Sequence, residues 1–71
     1  MHLKNKEETN RAIEEWQDFS IAGQAANLRK AIANMELDQM YYDQKGSEVG
    51  IERCDVCLEL LRERLAEITE S

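Results

Sequence analysis

Two cysteines three residues apart, Cys54-Asp55-Val56-Cys57, are the one recognisable metal or redox pattern in these 71 residues. Structural zinc takes four ligands, usually two such pairs or one pair with two histidines. The chain has one histidine, His2, beside its N-terminus. A redox pair of this spacing sits at a helix N-terminus, where the dipole lowers a thiol pKa. Here the pair lies at least one turn inside an apolar periodic stretch, and Asp55 between the sulfurs opposes thiolate formation. The expectation is therefore two buried, unoxidised cysteines that pack as small apolar groups, with no cofactor and no metal. One histidine also leaves no Ser/His/Asp arrangement, and no glycine-rich phosphate loop is present. The sequence reads as non-catalytic.

A second group has a different chemistry. Trp16 and Phe19, with Gly23, Ala26, Leu37, Met40 and Tyr41 farther on, combine aromatic, thioether and small side chains at three-and-four spacing. Trp, Tyr and Met are enriched in the buried centres of protein interfaces, and small residues let a second helix approach closely. These seven residues are the candidate protein-binding or dimer surface. Their competing reading is ordinary core packing.

The elements that must position both groups are helices. No proline occurs anywhere, and a proline inside a helix costs about 3 kcal/mol, so long uninterrupted helices are permitted. Ile51, Cys54, Leu58, Leu61, Leu65 and Ile68 step 3, 4, 3, 4, 3, a heptad seam. Its outside carries Glu52, Arg53, Asp55, Glu59, Arg62, Glu63 and Glu67. This second arm is predicted over about 48–69. Lys45 followed by Gly46 ends the preceding helix, and Ser47 can cap the next, so short a link making the two arms antiparallel neighbours.

The first arm is predicted over about 6–44, with Asn5 and Glu8 forming a capping box at its start. It carries two stripes. One is Ile21, Ala25, Leu28, Ile32, Met35, Gln39 and Tyr42; the other is Ala12, Trp16, Phe19, Gly23, Ala26, Lys30, Ala33, Leu37 and Met40. At 100° per residue they fall on nearly opposite sides of one helix. A second arm can cover only one of them, so the other must meet the N-terminal segment folded back or a second molecule. Nothing between residues 17 and 23 is a strong stop, which narrowly favours a continuous helix. A break near 18–20, capped by Asp18 or Ser20, is the alternative.

Glu36-Leu37-Asp38 resembles a three-residue fragment of the signature of the small helical-hairpin phosphatases that act on response-regulator aspartyl phosphates. The polar pair that precedes it in that family is missing and the triplet lies on the first arm, so no activity is carried over.

Charge narrows the partners. Residues 1–35 carry five basic and five acidic side chains, whereas residues 36–71 carry four and ten, so the second half holds the whole net charge of −6. Phosphate-backbone binding needs clustered Lys and Arg, which excludes direct nucleic-acid binding. The carboxylates are spread over several faces, unlike a row of phosphates. The start of the chain has no apolar h-region, and no run approaches the ~20 apolar residues that span a bilayer, so no membrane partner is expected and the location reads as cytoplasmic.

A core from so short a chain seldom supplies more than about 3–5 kcal/mol unaided, which makes oligomerisation the expected reinforcement. The fold expected is thus all-α: one domain over 1–71, an antiparallel helical hairpin with an N-terminal helical extension, assembled as a homodimeric bundle. The function expected is that of a small acidic binding protein, a regulator or inhibitor of the type encoded by viruses and mobile elements, which occupies the surface of another protein. The alternative is a structural or assembly subunit, or a co-chaperone, docking through an exposed helical stripe.

Overall fold

A computed structural model describes residues 5–70, and over that range the chain is helical with no strand. Three helices follow one another: α1 over Lys6–Trp16, α2 over Ile21–Lys45 and α3 over Glu48–Thr69. Each start has a local cause. The Asn5 side chain accepts from the Glu8 N–H, the Ser20 hydroxyl from the Gly23 N–H at 3.1 Å, and the Ser47 hydroxyl from the Gly50 N–H at 3.2 Å. In each case a short polar side chain satisfies one of the N–H groups that a helix start leaves without a partner.

The first arm is not one helix. It breaks between Trp16 and Ile21, against the narrow expectation of continuity. Ser20 adopts an extended backbone (φ −60°, ψ 161°) and caps α2. The carbonyl of Phe19, left outside any helix, accepts from the Gln24 side-chain amide at 3.0 Å. Breaking here lets α1 fold back over α3 and, to a lesser extent, α2, where Thr9 and Ala12 become buried. A straight continuation would have left that surface in water.

Gly46 closes α2 in the left-handed conformation (φ 71°), its N–H donating to the Asp43 carbonyl while the Ser47 N–H donates to that of Tyr42. A side chain at that φ is strained, hence glycine. Beyond it α3 returns along α2: Gln39 bonds Asp55, Arg62 bonds Glu36, and Arg64 bonds Gln24, so partners on α2 fall as numbers on α3 rise. The core between the helices consists of Ala12 from α1, Ala25, Leu28 and Met35 from α2, and Cys54, Cys57, Leu58, Leu61 and Ile68 from α3. Trp16, Ile32, Tyr42 and Leu65 pack around it, half-buried.

Gly50 is needed for a close approach rather than for its φ. A Cβ there would stand 2.4 Å from two ring carbons of Tyr42. Tyr42 thus rests flat on the start of α3, tying the two helices together beside their link. Gly50→Ala is expected to cost about 1–3 kcal/mol, the usual range for overpacking, despite alanine's better helix propensity. A urea titration that finds the variant as stable as wild type would show that the Tyr42 ring can move aside.

Candidate protein-binding surface

The outer side of α2 turns away from both other helices. Ala26, Lys30, Ala33, Leu37, Met40 and Tyr41 lie along it, all exposed. Leu37, Met40 and Tyr41, at i, i+3 and i+4, form one apolar patch and are 64%, 60% and 54% exposed. Tyr41 is held in place from two sides. Its ring meets that of Tyr42 edge-on at 5.6 Å, and the Lys45 ammonium lies 5.4 Å from its centroid. Next to Met40 a small open depression of 240 Å³ is lined also by Gln39, Asp43 and Ile51.

The opposite stripe explains why this one stays uncovered. Ala25, Leu28 and Met35 are buried against α3, with Ile32 and Tyr42 packed beside them. The two stripes diverge by about half a turn, so packing one turns the other to solvent. Folding α1 back does not change this, because α1 covers the α2–α3 groove on the core side.

The seven candidate residues therefore do not form a single face. Leu37, Met40, Tyr41 and Ala26 share the outer side of α2. Phe19 is 53% exposed in the link before α2, and Gly23 is half-buried beneath it, its position for a Cβ lying 3.4 Å from the Phe19 Cβ. Trp16 is placed differently: it is half-buried and packs against the core cluster. Its grouping with the outer stripe presumed a continuous helix, and the turn at 17–20 removes that phase relation. Ala12, on the same predicted stripe, is a core residue.

Other exposed apolar side chains carried less signal in the sequence. Val49 and Val56 are 64% and 43% exposed on the outside of α3, one heptad apart. Ile21 belongs by number to the core stripe, yet it is exposed in the first turn of α2.

The cysteines are in the core. Cys54 and Cys57 are both free and buried, and both belong to the core cluster. Burial pushes the Cys54 thiol above its ordinary value, and Asp38, Cys57 and Asp55 push it the same way against Arg53. A thiol so placed is a poor nucleophile, because the thiolate is the reactive form. Among the described residues no group of three or more His, Cys, Asp and Glu side chains could hold a metal ion. His2, the remaining ligand considered, lies outside the described residues.

One buried polar link was not legible in the sequence. Gln24 is buried, donates to the Phe19 carbonyl and accepts from Arg64 at 3.3 Å, while Arg64 also pairs with Glu67 at 3.1 Å. The link before α2 is thereby fixed to α3 through side chains forty positions apart. Among the described residues, no helix is long and apolar enough to cross a membrane. Comparison with protein-family models, with curated proteins and with solved structures finds no significant match to this chain.

Proposed function

We propose that the protein is a small non-catalytic binding protein, a regulator or inhibitor of the type encoded by viruses and mobile elements, which acts in the cytoplasm by occupying the surface of another protein. Its scaffold is the antiparallel hairpin of α2 and α3, extended by α1, and its working surface is the outer side of α2. The observation that carries this reading is the patch of Leu37, Met40 and Tyr41, each more than half exposed on one rigid helix. Apolar and aromatic anchors of this kind supply most of the energy in protein interfaces, and a rigid helix presents them with little ordering cost. The core closes within one chain, which favours a self-sufficient regulator over an assembly subunit that folds only on its complex.

The test is capture of partners from the native cell with the tagged full-length chain, followed by mass spectrometry. Wild type is expected to enrich a specific protein that Leu37→Glu and Met40→Glu each fail to retain. Anchor residues of this type contribute about 2 kcal/mol or more apiece, over tenfold in affinity. Equal enrichment by wild type and both variants would remove the outer side of α2 as the working surface.

A further inference from the structure

The outer side of α2 is graded along its length. Its N-terminal half presents small residues, Ala22, Ala26 and Ala33, with Arg29 and Lys30 between them; its C-terminal half presents the large Leu37, Met40 and Tyr41. Glu36 stands on the same flank of the helix as Arg29, since seven residues return nearly to the same angle. A helix with small residues at one end and large ones at the other is self-complementary when a copy lies against it in the opposite direction. With a two-fold axis at Ala33, position i meets position 66 − i of the copy. Met40 then sits over Ala26, Leu37 lies against the stem of Lys30, on the flank it shares with that residue, and Tyr41 reaches the level of Ala26. Arg29 faces Glu36 on both sides of the axis, because an antiparallel pair brings like flanks together.

We propose that the outer side of α2 is covered, in the free protein, by the same surface of a second copy, antiparallel and centred on Ala33. Charge complementarity supports this occupant. The protein is acidic overall, yet Arg29, Lys30 and Lys45 lie on or beside this surface, and Glu36 supplies the counter-charge at the matching level. Glu36 is already oriented by Arg62 at 3.1 Å, which leaves its carboxylate acceptors able to take a second donor. Exclusion supports it as well, since the one segment of the described chain that could have folded over this stripe, α1, packs elsewhere.

The contact is small. The 25 residues of α2 run about 37 Å, and a strip about 10–12 Å wide buries on the order of 400 Å² per copy. That is about half of a standard interface, the size of weak and exchangeable contacts, for which we take a dissociation constant on the order of micromolar. The inference rests on the outer side of α2 being an interaction surface, and it adds that a foreign partner must displace the second copy to reach it.

Sedimentation equilibrium on the full chain decides it, run at about 100 µM, well above a micromolar dissociation constant. The expected mass is twice 8.2 kDa. Ala33→Cys is expected to cross-link into a dimer under mild oxidation, whereas Glu63→Cys, on the outside of α3, does not. Cys54 and Cys57 are buried and stay silent in both. Ala33→Arg, which places two cations on the axis, is expected to sediment as a monomer with unchanged helicity; position 33 is exposed in the single chain, so folding does not depend on it. A wild-type monomer overturns the second copy as occupant while leaving partner capture by the same surface intact. A dimer that survives Ala33→Arg, or that cross-links through position 63, uses another surface and overturns the proposal equally.

Discussion

Leu61→Ala is expected to leave most of the protein unfolded at room temperature. Leu61 has no exposed surface and sits between Leu58 and Leu65 on the seam of α3, within the core cluster to which all three helices contribute. Truncating a fully buried leucine costs about 2–5 kcal/mol, combining lost transfer energy with the cavity left behind. A single core in a chain this short supplies about 3–5 kcal/mol in all, so the loss is comparable with the whole. Each kcal/mol shifts the melting midpoint of such a domain by about 4–8 °C. Thermal circular dichroism should therefore show loss of the cooperative transition, or a midpoint lowered by more than about 10 °C. Leu28 and Leu58, equally enclosed, should behave alike.

The second large effect separates two neighbouring aromatics. Trp16→Ala is expected to destabilise by about 1–3 kcal/mol, below the full cost of a large aromatic because the side chain is only half-buried. The loss should fall first on α1. Eleven residues are too few to hold a helix in water unaided, and Trp16 closes the end of α1 against the core. Phe19→Ala, at an exposed site three residues on, should stay within about 0.5 kcal/mol of wild type. Urea titrations of the two variants are the check. Equal destabilisation by both would mean that the link before α2 is part of the core.

These two aromatics also show what periodicity alone can and cannot resolve. The seam of α3 was readable because six apolar residues keep one phase with no competing stripe, and Gly46 with Ser47 marks its start by backbone chemistry. The two stripes of α2 were likewise readable, since each repeats within an uninterrupted helix. Trp16 and Phe19 satisfy a helical step only if the helix runs through residues 17–20. Whether it does is decided by tertiary contacts: burial of Thr9 and Ala12 under α3, and the Gln24 link from the Phe19 carbonyl to Arg64. Asp18, Ser20 and Gly23 are weak helix residues that accept either outcome. Ile21 shows the same limit at the other side of the break, for a residue in phase with the core is exposed at its helix start.

Charge was informative at the level of the whole chain and less so at the surface that matters. The net −6 suggests a basic partner, yet the exposed apolar strip of α2 is bordered by Arg29, Lys30 and Lys45, while the excess carboxylates Glu52, Glu59 and Glu63 lie outside α3. Any protein docking on α2 meets both signs at the rim, these cations and the carboxylates of Glu36 and Asp43. Such rim charges act mainly on association rate and salt dependence, with the apolar centre supplying most of the affinity.

The central claim is that the apolar outer side of α2 belongs to no core of its own chain. The most direct measurement is thermal melting of the triple variant Leu37→Ser, Met40→Ser, Tyr41→Ser, followed by far-ultraviolet circular dichroism at about 1 µM, where micromolar self-association is weak. The account predicts helicity near that of wild type and a still cooperative transition with a midpoint lowered by no more than about 10 °C, because exposed side chains away from buried features shift stability by about 0.5 kcal/mol or less each, about 1.5 kcal/mol for the three. A midpoint lowered as far as that of Leu61→Ala would contradict it, and would place these three residues in a core.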